Sequence, residues 1–333
     1  MSRPESFRGR LRIPAVAAPM FLASGPELVI NCCKSGVVGS FPALNQRSSE
    51  GFEQWLIQIS EALAGDENAA PWGVNLIVHK SNPRLQADLA LCIKYEVPLI
   101  ITSLGAVKDL VDAIHGYGGL VFHDIINLRH ARKAASAGVD GLIGVAAGAG
   151  GHAGTLSPFA LVAELRQFFE GTILLSGCLS TGRDIAAAEL MGADLAYMGT
   201  RFINTAECLV SPQYKQMIAE AAAADVMYTP HISGVHANFL RQSIINAGMD
   251  PEALEPVTEI DFGQELTVDA DQQGEKRKGA WTDIWSAGQG VGSVDDYPPA
   301  AELISRLCAE YHSAIAEQQG NAERWFATKE QQS

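Results

Sequence analysis

Short apolar runs alternate with amphipathic stretches over about two thirds of the chain. Eight runs have the length of buried strands, and a stretch with helical period follows each of them. The runs are Ala15–Ala18, Val37–Phe41, Trp72–Ile77, Pro98–Thr102, Leu120–Ile126, Gly141–Val145, Thr172–Ser176 and Leu195–Met198. The predicted helices are Pro26–Lys34, Glu50–Leu63, Asn82–Tyr95, Val107–His115, Leu128–Ala137, Pro158–Phe169, Ile185–Met191 and Ala206–Asp225.

Eight strand-and-helix units in succession predict a protein of the α/β class with a parallel (β/α)₈ barrel, or TIM barrel. A doubly wound open sheet is the alternative, although it seldom needs eight strict repeats. After Arg201 the alternation ends: residues 228–260 mix turns with short helical patterns, and Ala300–Glu317 predicts a final helix. We therefore expect a barrel over residues 1–205, a smaller, partly helical cap over its mouth at 206–290, and a C-terminal helix that returns to the barrel within 291–333.

The composition narrows the class of protein. The 333 residues are 47% hydrophobic, which is enough for a large core, and the formal net charge of −14 disfavours nucleic acid and anionic membranes as partners. The N-terminal segment lacks the apolar core of a signal peptide, and no apolar run is long enough to span a bilayer. Six cysteines occur without a C-x-x-C pair. These features predict a cytoplasmic protein with reduced thiols.

The stretch from Asp140 to Ser157, DGLIGVAAGAGGHAGTLS, carries the most distinctive chemistry of the chain. A buried strand opens there into a glycine-rich loop, and His152 lies in the middle of that loop. Glycine allows the backbone to pass close to a ligand, and histidine titrates near neutral pH, so the pattern indicates a catalytic loop.

Other interpretations of this loop are weaker. Gly148, Gly150 and Ala153 match the dinucleotide-binding fingerprint, but that motif opens a helix directly, whereas the next helix can start only near Pro158. No Lys-Ser/Thr pair follows the glycines, which excludes a Walker-type phosphate loop. A flexible turn with an incidental histidine remains as an alternative.

Parallel barrels bind their ligands at the C-terminal ends of the strands. The residues at these ends are Ala18, Pro19, Met20, Asn75, Thr102, Ser103, His123, Asp124, His152, Ser176, Gly177, Gly199 and Thr200. The pairs Ser176-Gly177 and Gly199-Thr200 follow the seventh and eighth strands, where barrels commonly bind phosphate through N–H groups and hydroxyls. We expect a cofactor that carries a phosphate, although both pairs could be ordinary glycine turns. No metal site is expected, because Asp124 is the one obvious acidic side chain at a strand end.

GAGGHAG at Gly148–Gly154, SG at Ser176-Gly177 and MGTRF at Met198–Phe202 together resemble the nitronate monooxygenase (2-nitropropane dioxygenase-like) family. The further matches, which extend the resemblance over nearly the whole chain, are APM at Ala18–Met20, PWGVNL at Pro71–Leu76 and WSAGQGVG at Trp285–Gly292. That family contains FMN-dependent (β/α)₈ enzymes. Flavin-dependent enoyl reductases and NADH:quinone reductases share the scaffold, so the resemblance indicates the cofactor, FMN, better than the substrate.

The resemblance implies a role for each matching position. The implied cofactor-binding residues are Ala18, Pro19, Met20, Asn75, His123, Gly150, Gly151, Ser176, Gly177, Gly199 and Thr200, of which the last four would hold the FMN phosphate. Met20 and Asn75 would flank the flavin ring and its phosphate arm. His152 matches the family's catalytic histidine, and Ser286 falls in the C-terminal motif near the substrate pocket, so both are candidate catalytic residues.

The chain departs from the family pattern at several positions. Asp124 stands where relatives often carry a lysine near the flavin, and Val145 stands where they often have Gln, Glu or Asp. Gly148-Ala149 replaces a pair in which the first residue is usually acidic. These changes remove polar contacts that would otherwise surround the flavin and the substrate.

The resemblance implies FMN-dependent oxidation of alkyl nitronates or nitroalkanes with O₂, in which His152 acts as the base or stabilises the anion. The first alternative is an NAD(P)H-dependent flavin reductase that acts on a quinone or enoyl substrate. The second is a flavin-binding module without catalytic activity.

Overall fold

The computed structural model describes residues 2–105, 107–257 and 282–326 of the chain. Its strands are β1 (Ala15–Ala17), β2 (Val38–Pro42), β3 (Trp72–Ile77), β4 (Leu99–Ser103), β5 (Leu120–Ile125), β6 (Gly141–Val145), β7 (Gly151–His152), β8 (Thr172–Ser176), β9 (Leu195–Met198), β10 (Val226–Thr229) and β11 (Ala237–Leu240). A closed parallel barrel contains β1-β2-β3-β4-β5-β6-β8-β9 in that order. The closed ring confirms the predicted (β/α)₈ barrel and contradicts the open-sheet alternative.

Helices follow the barrel strands and cover the ring. They are α1 (Pro26–Lys34), α2 (Ser49–Leu63), α3 (Leu85–Lys94), α4 (Lys108–His115), α5 (Leu128–Ser136), α6 (Pro158–Arg166), α7 (Gly182–Leu190), α8 (Thr200–Ile203), α9 (Pro212–Glu220), α10 (Arg241–Asn246) and α11 (Ala300–Phe326). Local sequence fixes several helix starts. Thr181 accepts a hydrogen bond from the Asp184 amide, and the Asp184 carboxylate accepts one from the Thr181 amide, which forms a capping box at α7.

Alternating side chains along each strand separate the interior of the barrel from its outer layer. Ile101 of β4 and Phe122 of β5 belong to the apolar cluster that fills the interior, whereas their chain neighbours pack outward against the helices. Ser103 and Asp124 lie two residues farther along the same strands and therefore share the inner face. The top layer of the barrel interior thus changes from apolar to polar at the ends of these strands.

The segment after Arg201 differs from the prediction. A helix over Ala206–Asp225 was expected, but α9 covers only part of this range because Ser211 caps it and Pro212 occupies its first position. The expectation of turns and short helices at 228–260 missed β10 and β11, which pair with each other in antiparallel orientation. Residues 258–281 of the predicted cap lie outside the described part of the chain.

The last helix, α11, is longer than predicted, and it packs against α7. Leu303 and Leu307 pack in one cluster with Ile185 of α7. The two helices are so close that a side chain at Gly182 would place its Cβ 2.2 Å from the Leu307 carbonyl oxygen. Across the described ranges, none of the helices has the length and apolar character needed to cross a bilayer. The division into three domains stays a prediction.

Candidate active site

A cavity of about 800 Å³ opens at the C-terminal ends of the barrel strands. Every residue predicted to bind the cofactor or take part in catalysis lines this cavity: Ala18, Pro19, Met20, Asn75, His123, Gly150, Gly151, His152, Ser176, Gly177, Gly199, Thr200 and Ser286. Of the strand-end residues named from the sequence, Thr102 is not part of the lining. Residues from the segment after the barrel, including Tyr228 and His236, complete the wall. One pocket therefore brings together residues that are distant in the sequence.

The glycine-rich loop after β6 does not run free over the cavity, because β7 holds it in a second sheet. This sheet has the order β10-β11-β7, and β11 pairs antiparallel with β7. Ala237 lies opposite His152, and Asn238 lies opposite Gly151. The backbone of the candidate catalytic histidine is thus fixed by a strand from the cap, which the sequence analysis missed.

Gly150 allows this loop to pack directly on the backbone of the C-terminal motif. A Cβ at Gly150 would lie 2.9 Å from the Gly288 nitrogen and 3.2 Å from the Ala287 carbonyl carbon, which is closer than a side chain tolerates. The Gly288 amide donates to Thr200 Oγ1 at 2.8 Å, so the same segment also contacts the end of β9. Glycine at 150 is therefore a packing requirement of the site.

Ser286 connects the two sides of the loop. Its Oγ accepts a hydrogen bond from the Gly151 amide at 2.6 Å and donates one to the Asn238 carbonyl at 2.6 Å. Tyr214 donates from its hydroxyl to the Ser286 carbonyl oxygen, and its ring stacks on Trp285 with centroids 4.9 Å apart. Because the one hydroxyl hydrogen of Ser286 is already donated to a backbone carbonyl, this geometry favours a positioning role over a direct catalytic one.

His152 has the environment of a neutral imidazole. Burial lowers the pKa of His152 to about 4, so the ring carries no charge near neutral pH. A neutral imidazole has one nitrogen that donates and one that accepts. His152 can therefore take a proton from a bound molecule or donate a hydrogen bond to it.

A row of polar side chains crosses the inner face of β3, β4 and β5. Asn75 Nδ2 donates to the Ile101 carbonyl at 3.1 Å and to Ser103 Oγ at 2.8 Å. Ser103 Oγ then donates to Asp124 Oδ2 at 2.6 Å. Burial raises the pKa of Asp124 to about 6, although the Ser103 hydrogen bond opposes that rise. The cavity thus contains a carboxyl group that titrates close to neutral pH.

His123 lies on the other face of β5. Its chain neighbours Phe122 and Asp124 face the interior, and its Nδ1 is 2.7 Å from Thr102 Oγ1. Burial, together with electrostatic interactions with His130 and Lys133, lowers the pKa of His123 to about 4. This placement favours a structural role for His123 over the cofactor contact that was predicted.

The residues that follow β8 and β9, Gly177, Cys178, Gly199 and Thr200, form a rim of backbone amides at the cavity. Within the described ranges, the amides of Gly177, Cys178, Gly199 and Thr200 donate to no protein acceptor. A Cβ at Gly199 would meet nothing closer than the Met20 side chain at 3.8 Å, so this backbone faces open space. Unpaired N–H groups beside a helix start suit an anionic group such as a phosphate. The rim fits the predicted phosphate contacts.

Two tyrosines outside the predicted set of site residues also line the cavity. Tyr197 belongs to a predicted apolar strand, and because it lies two residues after Leu195 its side chain faces the same interior. Tyr228 donates from its hydroxyl to the Ala153 carbonyl at 3.0 Å, and its ring lies against His236. The first could have been found from strand alternation, whereas the second depends on the cap.

Comparisons with known proteins agree with the motifs. The model of the nitronate monooxygenase family matches residues 84–310. The chain is 26% identical to a nitronate monooxygenase from Paraburkholderia phytofirmans, over 91% of this chain and 93% of that protein.

Solved structures share the fold. A nitroalkane oxidase from Streptomyces ansochromogenes superposes with a TM-score of 0.78 at 22% identity, covering 94% of this chain and all of that one (100%). FabK from Thermotoga maritima superposes with a TM-score of 0.76 at 21% identity, covering 96% and 99% of the two chains. At these identities the likeness shows the fold alone.

Proposed function

This chain belongs to the nitronate monooxygenase family of oxidoreductases, and we propose that it binds FMN and oxidises alkyl nitronates or nitroalkanes with O₂. The observation that carries the proposal is the position of His152 in the cavity, where β11 fixes its backbone and burial keeps the ring neutral. Flavin dependence is general in this family, whereas FMN and O₂ are parts of the proposal.

The rim residues would hold the FMN phosphate. Gly177, Gly199 and Thr200 offer unpaired amides there, and the hydroxyl of Ser176 lines the same cavity. Met20, Asn75 and Gly150 would contact the flavin ring, because all three line the same cavity as this rim. When bound, the flavin supplies the two-electron redox chemistry and the reaction with O₂.

His152 would handle the proton of the reaction. A neutral imidazole can take the proton from the carbon next to the nitro group, which produces the nitronate anion in place. The imidazolium that results would stabilise this anion electrostatically, and the anion in turn would raise the pKa of His152 above its value in the free protein. Ser286 and β11 contribute by holding the backbone of the loop in place. The entropy cost of positioning the imidazole is then met on folding and does not add to the barrier of the reaction.

The substitution His152→Asn tests this role. We expect kcat/KM to fall by about 10²- to 10⁴-fold, the usual contribution of a general acid or base, while FMN stays bound. His130→Asn is a matched control, because His130 also lines the cavity but is exposed. Steady-state kinetics and the absorbance of released flavin give both quantities. Full activity of the FMN-loaded His152→Asn protein would disprove the assigned role.

A further inference from the structure

Asp124 has a carboxylate oxygen that its surroundings leave without a partner. Oδ2 accepts the Ser103 hydrogen bond, but Oδ1 is buried and has no hydrogen-bond partner among the described residues. Asp124 also forms no ion pair within the described ranges. A buried, unpaired oxygen of a charged group destabilises the folded protein, so a ligand or a proton is expected to satisfy it.

The Ile101 carbonyl determines which groups donate in the hydrogen bonds of the polar row. The Ile101 carbonyl can only accept, so the Asn75 amide must turn its nitrogen toward it, and the same nitrogen faces Ser103. The single hydroxyl hydrogen of Ser103 must then point to Asp124 Oδ2. The two amide hydrogens of Asn75 and the hydroxyl hydrogen of Ser103 are therefore all donated to other atoms, and none of them is left for Asp124 Oδ1.

Few ionisable groups lie close enough to Asp124 to change its pKa. Tyr197 of β9 faces the same interior, and the charge of Asp124 adds to burial in raising the pKa of Tyr197. Asn75 of β3, Ser103 of β4 and Val145 of β6 bring no charge. His152 lines the cavity as a neutral ring, and His123 lies on the opposite face of β5 with His130 and Lys133 beyond it. No cation of the described chain compensates an ionised Asp124.

The position of Asp124 also suits contact with a ring that starts at the phosphate rim. In the closed ring of strands, β3 and β4 lie across from β8 and β9, and β5 follows β4. A flat ligand anchored at the ends of β8 and β9 would extend across the barrel mouth toward Asn75, Ser103 and Asp124.

We propose that Asp124 is protonated in the flavin-bound protein and that Oδ1 donates a hydrogen bond to an acceptor atom on the polar edge of the flavin ring. This inference rests on the proposed binding of FMN. A neutral carboxyl satisfies the buried oxygen without a cation, and it avoids placing a negative charge beside an anionic substrate. The raised pKa of Asp124, about 6 without ligand, makes this proton available at a small energetic cost.

The test is the pH dependence of FMN binding to the full chain after its bound flavin is removed. Equilibrium dialysis against FMN between pH 5 and pH 8 compares the native protein with Asp124→Asn, which keeps a donor but cannot ionise. The FMN phosphate and every histidine titrate alike in both proteins, so the ratio of the two Kd values isolates Asp124. A group that must be protonated to bind weakens binding about tenfold for each pH unit above its pKa.

We expect the ratio of the native Kd to the Asp124→Asn Kd to rise about 50- to 100-fold from pH 5 to pH 8. Ser103→Ala removes the bond that stabilises the carboxylate and should move the midpoint of the native curve to higher pH, by about one unit. A flat ratio, or a ratio that falls with pH because the carboxylate accepts a hydrogen bond, overturns the inference while FMN binding stands. Absence of FMN binding in every variant overturns the proposed function as well.

Discussion

At the scale of single residues, the buried His123 and the half-buried His152 have similar pKa values but different assignments. Both rings are neutral near pH 7, since burial lowers the pKa of His123 and of His152 to about 4. Their positions in the fold differ. His123 faces away from the barrel interior and lies against Thr102, whereas His152 is on β7 and lines the cavity. The pKa alone therefore does not separate the two histidines, and their positions make His152 the candidate catalytic residue.

The lowered pKa of His123 predicts loss of stability in acid. Above pH 6.5 the histidine is neutral in both the folded and the unfolded chain, so it contributes no difference. Between pH 6.5 and about 4 the unfolded chain binds the proton and the folded chain does not. This destabilises the folded protein progressively, by about 3 kcal/mol when the pH reaches 4.

His123→Asn should remove this part of the acid sensitivity. Denaturant unfolding at pH 7 and pH 4.5 gives the free energy of unfolding of both proteins, and the difference between the two pH values should be smaller in the variant. Carboxylates and other histidines contribute equally to both proteins and cancel. An identical pH dependence would show that His123 is not held neutral by the fold.

At the scale of elements, the small sheet of β7, β10 and β11 turns a flexible loop into a fixed wall of the site. It joins residues of the barrel loop to a segment after the barrel, and Ser286 ties it to the C-terminal motif. The alternation in Ala237-Asn238-Phe239-Leu240 was the available signal for β11, because Ala237 and Phe239 share one buried cluster. The pairing with β7 has no local signal, since two residues of a glycine loop show no strand pattern.

Gly150→Ala should separate this wall from the C-terminal motif. The added methyl group would collide with the backbone atoms of Gly288 and Ala287. Backbone atoms cannot move aside as the end of a flexible side chain can. We expect a loss of about 1–3 kcal/mol in the free energy of unfolding, together with weaker FMN binding.

Gly292→Ala is the matched control, because a Cβ there meets its nearest atoms at the ordinary distances of 3.7 and 3.8 Å. Its free energy of unfolding should stay within about 0.5 kcal/mol of that of the native protein. Denaturant unfolding and FMN dialysis measure both effects. Equal behaviour of the two variants would mean that the close packing at Gly150 is not needed.

At the scale of the whole molecule, the barrel could be predicted from the sequence and the cap could not. The eight apolar runs match the barrel strands to within one residue at each end, because a strand covered by helices must be apolar on both faces. The location of the cavity could also be predicted, since the strand ends converge in any such barrel. The cap depends on pairings between distant segments, and its helix was overestimated where Pro212 sets a later start.

Side-chain direction was the other limit of prediction from sequence. The strand-end rule named both His123 and Asp124 but did not decide which of them faces the barrel interior. Register and alternation in the closed barrel decide it in favour of Asp124. The partner of Ser286 was equally out of reach, because the Asn238 carbonyl comes from β11.

We propose that this enzyme takes electrons from a nitronate through bound FMN, and an anaerobic mixing experiment decides whether it does. The flavin-loaded protein is mixed separately with an alkyl nitronate, NADH and NADPH, and the visible absorbance of the flavin is followed. We expect rapid bleaching by the nitronate. Bleaching by a reduced nicotinamide while the nitronate is inert would contradict it and favour the reductase alternative. A protein that holds no flavin after addition of FMN would contradict the cofactor itself.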